Sequence, residues 1–207
     1  MLQTRTIESG TLELLKNLMS VPELDRFFLV GGTALALQLG HRMSVDIDLF
    51  TEYPFDTDEL IYTLQKSFDV LVETERPGML ITSINSVKVD MVKMSYPVLF
   101  PTVVDEGIRM LEIRDIAPMK LKAVTQRGSK KDFYDIYFLL EILPLDQILE
   151  LFSLKFKQYE VFHVIKSLNY FEDAENNPDL MVFDKKITWE KVKMAIQKEV
   201  RTVTYRG

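Results

Sequence analysis

Residues 7–19 (IESGTLELLKNLM) place apolar side chains at helical spacing, which predicts a helix. RFFLVGG follows as a short apolar run ending in two glycines, the pattern of a buried strand entering a turn. The alanines and leucines of ALALQLGH favour a second helix, which Thr33 can cap. SVDIDLF alternates apolar and acidic positions and reads as a strand with Val45, Ile47 and Leu49 on one face. Residues 55–68 return to helical periodicity, with Asp56 as a cap. Three strand candidates come next: DVLVETE, GMLITSI and SVKVDMVKM. Asn85-Ser86 supplies a polar turn between the last two, so these form a hairpin.

Residues 95–110 hold two prolines and read as a crossing segment. From Asp115 onward the pattern is helical: IAPMKLKAVTQR, KDFYDIYFLLEIL, LDQILELFSLKF, YEVFHVIKSLNYF and TWEKVKMAIQKEVRT. DAENNPD (173–179) is polar and turn-rich and reads as a loop, while Phe152, Phe156, Phe162, Tyr170 and Phe171 fall at helical spacing and read as core. The expected organisation is an α/β half over residues 1–112 and a helical half over 113–207.

Composition narrows the chemistry. Of 207 residues, 47% are hydrophobic, enough for a substantial core. The net charge of -6 argues against a broad nucleic-acid-coating surface but leaves room for a local basic cleft. There is no cysteine, which excludes disulfides and thiolate metal sites, and only His41 and His163 could serve a zinc site. A metal would therefore be held by carboxylate oxygens, the donors that magnesium prefers. The N-terminus lacks the apolar core of a signal peptide, and no apolar run approaches the roughly 18 residues of a membrane span. The expectation is a cytoplasmic protein with no membrane association.

Asp46 and Asp48 then stand out. Two residues apart on a strand they point the same way, beside the Gly31-Gly32 turn, and a cation between them would relieve their repulsion. Asp90 shares a face with Lys88 and Val92, and it can join the pair if its strand lies beside SVDIDLF. Three convergent carboxylates suit one or two magnesium ions and in-line displacement at a nucleotide phosphate. Each part also has a plain reading, the aspartates as a solvated strand edge and the glycines as ordinary turn residues. Their combination with a helix whose N-terminus can receive phosphate is more specific than any part.

GGTALAL, HRMSVDIDLF, VKVD and DIAPMKLKAVTQRGSKKDFYDIYFLL together resemble the AbiEii-type nucleotidyltransferase toxins, a branch of the DNA polymerase beta-like nucleotidyltransferase superfamily. The resemblance spans about residues 27–142. It implies an α+β fold: an N-terminal polymerase beta-like mixed sheet with flanking helices, then a C-terminal helical bundle. It implies that Gly31, Gly32 and Thr33 face a nucleoside triphosphate, and that Asp46, Asp48 and Asp90 hold Mg2+, two ions being expected. The implied reaction transfers NMP from an NTP to an acceptor, an RNA such as tRNA or a protein, in a toxin restrained by an antitoxin. A small-molecule nucleotidyltransferase of the antibiotic-modifying kind and a non-catalytic nucleotide-binding module are the alternatives. The superfamily usually has Gly-Ser where this chain has Gly-Gly-Thr, so the hydroxyl is kept.

Arg114, Lys120, Lys122, Arg127, Lys130 and Lys131 form a basic block in an acidic chain. Lys120, Arg127, Lys131, Asp132 and Asp135 match the family's later motif, which makes Lys120 and Asp132 candidate catalytic residues. Lys120 and Arg127 are candidate triphosphate ligands, arginine being suited to bidentate phosphate contacts. The alternative is a solvated helix face with i,i+4 pairs such as Lys131 with Asp135. Asp132 lies among apolar residues and can position a lysine or arginine instead of touching metal. Ser44 can orient a carboxylate or a phosphate, and His41 reads as a loop or helix-end residue.

Overall fold

A computed structural model describes residues 1–204. The chain forms two compact units. One comprises Met1–Gly40 and Ser44–Glu112, the other His41–Met43 and the chain from Ile113 onward.

In the first unit, helices α1 (Ser9–Leu18), α2 (Gly31–Leu39) and α3 (Thr57–Gln65) accompany a seven-stranded sheet. Its strands are β1 (Phe28–Leu29), β2 (Ile47–Thr51), β3 (Val70–Arg76), β4 (Met79–Ile84), β5 (Val87–Lys93), β6 (Val103–Asp105) and β7 (Ile108–Met110). The order across the sheet is β3-β4-β5-β2-β1-β7-β6. It is mixed: β2 runs parallel to β5 and β1 parallel to β7, while the other neighbours are antiparallel.

Alternation explains the two central strands. Ile47 and Leu49 of β2 and Val89 and Met91 of β5 are buried, with Leu15, Leu18, Leu35, Leu37 and Leu64 also in the unit's core. Each such side chain contributes on the order of 2 kcal/mol by leaving water. The expected β4–β5 hairpin forms, and Asn85 and Ser86 both take positive φ (49° and 66°), the twist that suits a tight antiparallel turn. Asp56 caps α3 as expected, accepting from the Glu59 amide at 3.0 Å.

Three local expectations change. Thr33 does not cap α2; the cap is Val30, with no side-chain bond, and Thr33 lies inside the first turn with its hydroxyl turned elsewhere. The segment 95–110 is not merely a crossing. It contains the β6–β7 hairpin, whose turn sets Glu106 and Gly107 at positive φ. Part of 173–179 is helical, in α8 (Glu172–Glu175).

The second unit carries α4 (Ile113–Gln126), α5 (Lys130–Leu140), α6 (Leu145–Lys155), α7 (Val161–Leu168), α8 and α9 (Trp189–Thr204). α4 packs on α5, α6 and α7, and α9 packs on the same three. Phe133, Phe152, Phe156, Val164, Leu168 and Phe171 are buried. Phe162 and Tyr170 are not core, being 68% and 49% exposed. On α7 the buried face is that of Val164 and Leu168, and Phe162, two residues from Val164, turns about 200° away. Of the helical half expected over 113–207, residues 205–207 lie outside the described residues. Among the described residues no helix is long and apolar enough to cross a membrane.

Candidate active site

Sheet register builds the acidic group in the first unit. Asp48 of β2 is directly paired with Asp90 of the parallel strand β5, as Ile47 is with Val89. Side chains at paired positions share a face, so burying Ile47 and Val89 on one side sends both carboxylates to the other. Asp46 precedes the first residue of β2, and its carbonyl accepts a hydrogen bond from the Thr33 hydroxyl, which also pairs with Ser44 Oγ at 2.9 Å. Thr33 and Ser44 are buried. Their hydroxyls thus tie the first turn of α2 to the segment entering β2.

Gly31 brings the helix to the carboxylate. Its φ is +69°, and a Cβ built there would collide with Asp48 Oδ2. The Val30 amide donates to the Asp48 carbonyl at 2.9 Å, fixing the two chains side by side. Val30 provides no side-chain cap, so the first amides of α2, through Gly31 and Gly32, point along the axis with no partner in the helix itself. This positive helix end, beside an acidic group, suits a bound phosphate.

Asp90 has two different oxygens. Oδ2 pairs with Lys88 Nζ at 3.1 Å, while Oδ1 is buried with no hydrogen-bond partner. Burial lowers the affinity of Lys88 for its proton. The hydrogen bond to Asp90 and the charges of Asp90, Asp46 and Asp48 outweigh that, so its pKa lies above the ordinary lysine value. Burial, and then the charge of Asp48, push the Tyr96 phenol well above its usual range. Among the described residues no three acidic or imidazole groups are drawn together closely enough to hold an ion. The donor chemistry nevertheless fits a hard divalent cation: carboxylates only, two of them in register, one buried oxygen unsatisfied, and a net attraction for positive charge.

Lys120, Asp132 and Arg127 come together in the second unit, around Asp135. Lys120 Nζ lies 2.7 Å from Asp135 Oδ2 and 3.6 Å from Asp132 Oδ1. Arg42 forks onto Asp135 through Nε (2.6 Å) and Nη2 (2.8 Å), and His41 Nε2 donates to it at 2.8 Å. Arg127 forks onto Asp132 at 2.7 and 2.8 Å, joined by the Ser129 hydroxyl at 2.6 Å. Burial alone would raise both aspartates. For Asp135 the charges of Arg42 and Lys120 and the bonds from His41 and Arg42 hold the carboxyl well below the usual range, and for Asp132 Arg127, Lys120 and Ser129 lower it. The side chain of Lys120 is 5% exposed and that of Arg127 53%.

Lys88 and Tyr96 were not among the sequence candidates, and His41, Arg42 and Asp135 were given no joint role there, Asp135 being named only as a match to the family's later motif. Lys88 had a legible signal, its place two residues before Asp90 on the same face. Asp135 and Arg42, far apart in sequence, had none beyond the family motif.

Solved structures share this architecture. MenT4, a nucleotidyltransferase toxin from Mycobacterium tuberculosis H37Rv, superposes with a TM-score of 0.58 at 12% identity, over 95% of this chain and 86% of its own. JHP933 from Helicobacter pylori gives 0.57 at 18% identity, over 97% and 94%. The fold is that of the nucleotidyltransferases. The chain belongs to the AbiEii family: residues 13–202 match the family described as nucleotidyl transferase AbiEii toxin, type IV TA system. It is also 34% identical over 203 residues to an uncharacterized protein of Aquifex aeolicus (strain VF5), covering 95% of this chain and 97% of that one. It is accordingly a nucleotidyltransferase.

Proposed function

We propose that the protein is the toxin of a toxin–antitoxin pair, transferring NMP from an NTP to a macromolecular acceptor, tRNA or protein, in a magnesium-dependent reaction in the cytoplasm. The observation that carries this reading is the register of Asp48 with Asp90 beside the Gly31 turn, with Asp90 Oδ1 buried and unsatisfied. Asp46, Asp48 and Asp90 would hold the metal, which when bound supplies charge neutralisation at the reacting phosphate.

The chain's own groups do the rest. The amides opening α2 hold triphosphate oxygens. The acceptor hydroxyl attacks the α-phosphate, an O–P bond forms, the α–β bridging P–O bond breaks, and pyrophosphate leaves. Asp90 takes the hydroxyl proton. Of the two basic residues of the later motif, Arg127 has the exposure to meet an anion. Lys120 and Asp132, bound into the Asp135 cluster, serve chiefly to position it. With a net charge of -6, recognition of RNA would rest on a local patch, not on the whole surface.

The test is transfer of label from ATP, CTP, GTP or UTP to total RNA or cell extract, comparing the native chain with Asp46→Ala/Asp48→Ala. Label on an RNA or protein band, present only with the native chain and only with magnesium, is the expected result. Nucleotide binding without pyrophosphate release under every condition would overturn it in favour of a binding module.

A further inference from the structure

The face of the sheet that carries Asp48 and Asp90 also carries a lysine. Lys88 and Asp90 lie two residues apart on β5 and project to the same face, and the ammonium closes one carboxylate oxygen at 3.1 Å. The other oxygen is buried with no partner. Asp48 stands directly across the strand pair from Asp90, and the charges of Asp46 and Asp48 act on the same lysine.

We infer that Lys88 is an internal competitor of the metal: it answers the carboxylate charge until a divalent cation arrives, and that cation must displace it from Asp90. The inference rests on the proposed reading of Asp46, Asp48 and Asp90 as metal ligands. The carboxylates of Asp48 and Asp90, in register on one face, repel each other, with Asp46 adding its charge nearby, and a lysine two residues from Asp90 relieves this without leaving the strand. An ammonium and a divalent ion on the same carboxylate repel each other in turn, so the two occupants exclude one another. Exchange is cheap in geometry. The Lys88 side chain is 50% exposed, and its four-carbon stem can carry the charge into water once Asp90 is taken. Lys88 thereby sets the concentration of free divalent cation at which the acidic group fills, and the site discriminates between a cell replete in magnesium and one depleted of it.

The measurement is Mn2+ binding, followed by loss of the free-ion electron paramagnetic resonance signal, for the full native chain, Lys88→Met and Lys88→Arg at one ionic strength. Lys88→Met removes the competitor and should bind Mn2+ roughly fivefold more tightly, the scale of a half-exposed ion pair. Lys88→Arg keeps the charge and should match the native chain within about twofold. A thermal scan gives the second readout: without metal Lys88→Met melts below the native chain, and saturating Mn2+ raises its midpoint by more. Equal Mn2+ affinity for the native chain and Lys88→Met, or weaker binding by Lys88→Met, would overturn the role of Lys88 and leave the metal reading standing. Lys88→Arg binding as tightly as Lys88→Met would overturn it too, since charge would then not matter. Mn2+ bound by none of the chains would overturn both readings.

Discussion

Gly31 is the residue on which the geometry of the acidic group turns. Its backbone sits at φ +69°, and the space a Cβ would need is taken by Asp48 Oδ2. Gly31→Ala therefore has to bear a left-handed backbone cost of about 1–2 kcal/mol and also move the carboxylate. The expected outcome is a lower urea midpoint together with loss of transfer activity under conditions where the variant is still folded. Activity that tracks stability alone would show that Asp48 tolerates displacement. Much of this was legible in the chain: Gly-Gly before a helix and D-x-D in an alternating run identify the turn and the pair. The approach of Gly31 to Asp48 was not, because it depends on the Val30 amide meeting the Asp48 carbonyl, a contact between segments distant in sequence. Lys88 was visible as a neighbour of Asp90 but not as its partner, since strand periodicity gives a side chain's face and not its reach.

At the scale of elements, α4 and α5 are joined by charge as much as by apolar packing. Asp135 on α5 receives Lys120 from α4 and both His41 and Arg42 from the short segment grouped with the helices, with all four side chains buried. Replacing the carboxylate strands cations away from water. Asp135→Asn should cost about 3–5 kcal/mol, the range for a broken buried pair, whereas Arg127→Ala should cost clearly less, because Lys120 and the Ser129 hydroxyl still face the Asp132 carboxylate and Arg127 itself is half-exposed. Urea denaturation of the two variants in parallel checks the contrast, and equal losses would refute it. Periodicity predicted these helices well, but burial within α5 does not follow its apolar spacing: Lys130, Asp132 and Asp135 are buried while Phe138 and Leu140 are half-buried. The β6–β7 hairpin escaped because its strands are three residues each and Pro97 and Pro101 dominate the segment before them. Phe162 was misplaced because α7 has apolar residues around much of its circumference, and spacing alone does not say which side meets another helix.

For the molecule as a whole, the buried ionisable groups give stability a definite pH dependence. Burial holds the His41 imidazole below its ordinary 6.5, against the pull of Asp135. Below that pH the unfolded chain binds a proton the folded chain refuses, so this part of the stability is present above about 6.5 and declines as pH falls. Asp132 and Asp135 are depressed from 3.8, and their contribution is complete above the ordinary carboxylate range and lost as pH falls through the lower folded values. A pH series of thermal midpoints should show a gentle fall beginning near pH 6.5 and a steeper one below about pH 4. His41→Gln should flatten the first and spare the second. An unchanged profile would remove His41 from the account.

The grouping of His41–Met43 with the chain beyond residue 112 carries a consequence for biosynthesis. Arg42 emerges from a ribosome 93 residues ahead of Asp135, the carboxylate that receives it. A nascent chain halted at residue 112 holds every strand of its sheet, yet it also holds three residues that belong to a unit not yet made. The link between Gly40 and Ser44 thus meets its partners only after the chain has passed Asp135 and then Met181 and Phe183, well after the last strand has been made.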